Sequence, residues 1–228
     1  MTDFTLIRSD RKTAAIYIRP DSTVEVRAPR AMPRAEIERF VASKEGWIRE
    51  KRALTQARRE ERASFSLAYG DTALYFGKEY PVIARPGNRV GFDDAGSCFY
   101  MPPDLDSEQI KAACVQVYRL LAKRLLHEKV PYFAEKMGLS PTGITITGAK
   151  TRWGSCSSKG SLSFAWRLVM AEEATVDYVV VHELAHLREM NHSERFWRIV
   201  AGVLPDYEAR RAQLKELQQR LGGEEWET

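Results

Sequence analysis

Apolar and polar residues alternate over three short runs at the start of the chain, Phe4–Arg8, Ala14–Arg19 and Thr23–Arg27, separated by Ser-Asp and Pro-Asp-Ser turn residues. A period of two puts one face of each run inward and predicts strands. After Pro33 the period lengthens. Ile37, Phe40, Val41, Trp47 and Ile48 form one helical face in a charged segment, which predicts a single helix from about Arg34 to Arg62. Strand patterns return at Ala73–Phe76, Tyr80–Arg85, Arg89–Phe92 and Cys98–Met101, with Gly77-Lys78 and Pro86-Gly87-Asn88 as turns.

Pro102-Pro103 stops both strand and helix and is read as the main boundary. From about Ser107 a long helix turns Ile110, Cys114, Val117, Leu121 and Leu125 inward, meets Pro131 and stops at Gly138. Gly143–Gly148 and Ser161–Phe164 read as strands. Thr175–Met190 reads as a helix with Val176, Val179, Val180, Leu184 and Leu187 inward, and two further helices close the chain. The expected fold is therefore α+β. Residues 1–103 form a β-rich part with one charged helix; residues 104–228 form a helical part with a small sheet.

Composition narrows the class. With 228 residues, 44% hydrophobic, the chain can bury a full core. No run is apolar enough for a membrane span and no signal-peptide core opens the sequence, so a cytoplasmic protein is expected. Three cysteines, Cys98, Cys114 and Cys156, without CxxC spacing, fit reduced thiols. The net charge of +4 comes from 35 basic residues interspersed with 31 acidic ones. Arg49, Lys51, Arg52, Arg58 and Arg59 could meet a polyanion. Because Glu45, Glu50, Glu60 and Glu61 interleave with them, a solvated face is expected and nucleic acid is not the expected partner.

The chemistry lies in one window. His182-Glu183-x-x-His186 places two imidazoles about 40° apart around a helix, so both reach one ion. Glu183 projects from the same turn and is free to act as general base. His192 supplies a third nitrogen, which leaves the fourth position of a tetrahedral zinc open for water. The spacing to His192 matches the metzincin proteases, but Glu189 stands where they carry a glycine, and no methionine follows Met190 for their Met-turn. Asn191 with Glu194 reads instead as a capping box, which places His192 in the first turn of a helix through Phe196 and Val200.

A second cluster, Lys150-Thr151-Arg152-Trp153-Gly154-Ser155-Cys156-Ser157, reads either as a plain hairpin or as the edge of the cleft. On the second reading Lys150 or Arg152 binds an anionic group or polarises a carbonyl, and Trp153 forms a wall. Tyr178 and Arg152 are candidate oxyanion partners. Cys156 reads as a small packed residue, since the histidines complete the ligand set. A peptide substrate is expected to pair with the strand Ser161–Phe164.

These two clusters resemble the YgjP-like metallopeptidase family of bacterial cytoplasmic proteins. The resemblance rests on Arg152-Trp153-Gly154-Ser155-Cys156-Ser157, His182-Glu183-Leu184-Ala185-His186 and Asn191-His192-Ser193-x-x-Phe196-Trp197, and extends over roughly residues 20–220. It implies a zincin-like core related to SprT-like proteases, with His182, His186 and His192 as ligands and Glu183 as base. Three functions remain open at this level. They are peptide hydrolysis with Zn2+, hydrolysis of a nucleotide or phosphoanhydride, and a non-catalytic binding module with a structural zinc.

Overall fold

The computed structural model describes residues 2–226, and they form two compact units. The first comprises residues 2–65 with 222–225, the second residues 66–221 with 226.

In the first unit, strands β1 (Thr5–Ser9), β2 (Ala15–Ile18) and β3 (Val24–Pro29) form a sheet in the order β1-β3-β2, with β1 parallel and β2 antiparallel to β3. The period of two decides the packing. Val24, Val26 and Ala28 all point to one face and bury it against Ile37, Val41 and Ile48. The charged segment is two helices, α1 (Arg34–Ser43) and α2 (Glu45–Ser64), and not the single helix expected. Lys44 departs from helical geometry (φ −110°, ψ 10°), between Ser43 and Gly46, both poor helix formers. The Ser43 hydroxyl donates to the Phe40 carbonyl at 2.7 Å, a local bond that competes with helix continuation.

In the second unit, β4 (Thr72–Tyr75), β5 (Lys78–Ala84), β6 (Gly91–Asp93) and β7 (Cys98–Met101) form a mixed sheet in the order β4-β5-β7-β6. It packs on α3 (Ser107–Met137). Asp106 and Gln109 start this helix as a reciprocal capping box, and Gly138 ends it in the left-handed region at φ 61°. Pro102-Pro103 therefore does not divide compact units. The sheet before it shares a core with the helix after it: the Tyr118 hydroxyl donates to the Leu74 carbonyl at 2.8 Å, and the Phe99 and Tyr118 rings lie 5.2 Å apart.

A second sheet combines β8 (Gly143–Thr147), β9 (Gly154–Cys156) and β10 (Ser161–Ala165) in the order β8-β10-β9. β10 is the central strand, with both hydrogen-bonding edges occupied, so no peptide can pair with Ser161–Phe164 as expected. The open edge beside the cleft is β9. Trp153 O accepts from Ala165 N and Ser157 N donates to Ser161 O, both at 2.9 Å. The alternating register thus turns the N–H and C=O of Gly154 and Cys156 to the open side. A 3-10 helix (Trp166–Met170) leads into α4 (Glu173–Ala185), then α5 (Glu194–Val203) and α6 (Tyr207–Arg220). Among the described residues no helix is long and apolar enough to cross a membrane.

Candidate metal centre

α4 is buried on almost every side. Thr175, Val176, Tyr178 to Val181 and Glu183 to Ala185 are all buried. Lys129 of α3 ties its first turns down, reaching Glu173 at 2.5 Å and Asp177 at 2.9 Å. The sequence periodicity ran on to Met190, but the helix ends at Ala185, with His186 as its cap. Leu187 N and Arg188 N donate to the carbonyls three residues back, Leu184 and Ala185, at 3.0 Å, which tightens and closes the last turn.

His192 lies in the segment before α5, not inside its first turn. Ser193 is the cap, its hydroxyl accepting from Phe196 N at 3.4 Å, so the Asn191–Glu194 capping box does not form. Asn191 serves the turn differently, its carbonyl accepting from Ser193 N at 2.8 Å.

The three imidazoles converge. Nε2 of His182 and Nε2 of His192 are 3.0 Å apart, and one donor atom from each of His182, His186 and His192 lies within 4.8 Å of the others. The opposite nitrogens face protein. Nδ1 of His186 donates to the Glu189 carbonyl at 3.1 Å, which leaves the Nε2 lone pair for a cation. Nδ1 of His182 lies 3.5 Å from the Tyr178 hydroxyl. Tyr178 is thus buried behind the His182 ring, a supporting position and not the substrate-facing one expected of an oxyanion partner. Phe196 lies beneath all three rings, with centroids 4.6 to 4.9 Å away, and Trp197 stacks on His192.

Electrostatics agree with this geometry. Burial, and then the neighbouring histidines, pull His182 down to about 3; burial also lowers His186, against the Glu189 carbonyl. Neutral imidazoles aimed at one point are what a first-row divalent cation requires. Such a donor set fits zinc.

Glu183 is 6% exposed, and burial raises its carboxyl to about 7, with Arg152 pulling the other way. Its closest structural partner was not singled out from the sequence. A Cβ placed on Gly154 would lie 2.6 Å from both Cγ and Oε1 of Glu183, so only glycine lets β9 approach the carboxylate this closely. The glycine inside Arg152-Trp153-Gly154-Ser155 was the available signal. Arg152 is exposed near Glu183, Trp153 is half-buried with its carbonyl engaged by Ala165, and Lys150 is exposed at the approach to β9. Cys156 is half-buried, and burial together with the Glu183 charge raises its thiol, the opposite of nucleophile activation.

No curated protein matches the chain. Among solved structures, it matches the metallopeptidase zymogen of Pyrococcus abyssi abylysin with 23% identity and a TM-score of 0.37, over 42% of this chain and 94% of that one. A family model described as YgjP-like, metallopeptidase domain, matches residues 12–217. The match spans both sequence clusters and all three histidines, and the chain belongs to the YgjP-like metallopeptidase family.

Proposed function

We propose that the chain is a zinc-dependent peptidase in which His182, His186 and His192 hold the ion and Glu183 is the general base. The observation that carries this reading is the convergence of three imidazoles beside a buried carboxyl raised to about 7. Bound by these three histidines, zinc would supply Lewis acidity toward a substrate carbonyl and a water. Glu183 would take a proton from the attacking water as its oxygen adds to the carbonyl carbon, and give that proton to the amine nitrogen as the C–N bond breaks. Its raised affinity for protons suits a group that must accept and release one near neutrality. The substrate backbone pairs with the open side of β9, where Gly154 and Cys156 present their N–H and C=O groups, and Arg152 and Trp153 bound the cleft. Tyr178 keeps the His182 ring oriented.

Metal content by mass spectrometry, with cleavage assays on casein-type peptides and nucleoside triphosphates, tests this reading on wild type, His186→Ala and Glu183→Gln. Wild type and Glu183→Gln should carry about one zinc per chain and His186→Ala little. Only wild type should cleave peptide, with turnover in Glu183→Gln down about 10²- to 10⁴-fold. Full activity in Glu183→Gln sinks the general-base role. Failure to bind zinc after reconstitution sinks the metal site, and triphosphate turnover without peptide cleavage moves the site to phosphoanhydrides.

A further inference from the structure

Residues 1–65 hold 15 of the chain's 35 basic residues and 10 of its 31 acidic ones, and 222–225 add Glu224 and Glu225. The first compact unit therefore carries most of the net positive charge. In sequence order its acids interleave with its bases, but α2 separates them. At 100° per residue, Lys51, Arg52, Thr55, Arg58, Arg59 and Arg62 fall in one sector of about 120°. Glu50, Glu60 and Glu61 lie about 120–140° from its centre. Glu45 sits in the first turn, before the stripe begins. These basic residues are exposed, as a solvated face requires, but the acids that interleave with them in sequence do not share that face.

Lys51, Arg52, Arg58 and Arg59 have no ion-pair or hydrogen-bond partner for their side chains among the described residues. Arg62 donates through Nε to the Gly222 carbonyl at 2.7 Å, which fixes its guanidinium in place. Beside the stripe runs a trough of about 690 Å³, lined by Thr55, Arg58, Arg59 and Arg62 on one side and the β2–β3 turn on the other. Two carboxylates also face it. Asp21 accepts from the Thr23 backbone and hydroxyl, at 3.0 and 2.7 Å, and lies close enough to Arg59 for their charges to attract; Glu225 lies at the rim. On the flank of the stripe, Trp47 and Leu54 are 41% and 46% exposed.

We infer that this face of α2 is a binding site for single-stranded nucleic acid. Cations spread over about 16 Å of helix match a row of phosphates, not one anionic group. Four of the five are arginines, whose planar donors pair with phosphate oxygens two at a time. The exposed Trp47 ring, next to the cations, offers a base a stacking surface that an acidic protein would not use.

The test is a fluorescence anisotropy titration of the full chain with a labelled single-stranded 20-mer at 50, 100 and 200 mM salt, with polyglutamate as competitor. Binding should weaken steeply with salt. The double variant R58E/R59E should lose at least tenfold in affinity and reduce the slope of log K against log salt by about 1.4, two phosphate contacts at about 0.7 each. R58K/R59K should retain the slope, and thermal melts of both variants should match wild type, because both side chains are exposed. Trp47→Ala should weaken binding without changing the slope. No binding at 50 mM salt, unchanged binding in R58E/R59E, or polyglutamate competing as well as unlabelled oligonucleotide each overturns the inference. None of these outcomes depends on metal content or hydrolysis.

Discussion

Gly154 and Glu183 are packed so closely that a single methyl group on Gly154 would occupy space already filled by the Glu183 carboxylate, 2.6 Å from Oε1. Gly154→Ala must therefore displace Glu183 while leaving the histidines alone. The expected result is zinc binding equal to wild type, measured by metal analysis, with kcat for peptide cleavage down at least tenfold, since a small misplacement of a catalytic group costs about that much or more. Wild-type kcat in Gly154→Ala would show that the position of Glu183 is not critical.

Tyr178 stands at the far nitrogen of His182. A partner there fixes the ring and its tautomer, and loss of such partners typically weakens metal binding about 10- to 100-fold. The 3.5 Å separation places Tyr178→Phe at the lower end, about tenfold weaker zinc binding in a chelator competition. The kcat of the zinc-loaded variant should be unchanged. A large fall in kcat at full loading would instead assign the hydroxyl to the reaction itself.

Glu25 lies buried on the sheet face opposite Val24 and Val26, paired with both Arg27 and Arg19. Its hydrogen bonds to Arg27 and then Arg19 hold its carboxyl below the usual 4.5. A carboxyl that is more acidic folded than unfolded adds stability above the unfolded value and loses it as pH falls through the folded one. Glu25→Gln should therefore melt at a lower temperature than wild type at pH 7. The gap should narrow as pH drops below 4.5 and through the lowered folded value. A constant difference across that range would mean the pair contributes packing and not charge.

How much of this was legible in the residues depends on which signal each feature leaves. The alternation of Val24, Val26 and Ala28 and the His182–His186 spacing are periodic, and the strand and the helix appear where those periods stand. Helix ends leave weaker marks. Asn191 and Ser193 are both good capping residues, and Asn191 even has a glutamate three positions on; the backbone at Ser193 decides between them. The grouping of Arg152, Gly154 and Glu183 is a tertiary relation with no local period, since β9 reaches the helix only after pairing with β10. The charge of α2 shows the converse. The residues were all visible, but their order along the chain conceals the grouping that a 100° rotation per residue creates.

The burial of α4 has one more consequence, for a metallopeptidase that must survive its own chemistry. A cleavable bond has to leave its fold and lie extended in the cleft, so susceptibility follows local opening. Val176, Val180, Val181, Leu184 and Ala185 are fully enclosed, and opening this segment means dismantling the core around α3 and the second sheet. Self-digestion would therefore trim the exposed surface of other molecules long before it reached the helix that carries His182, Glu183 and His186. A nicked chain can keep its catalytic floor intact.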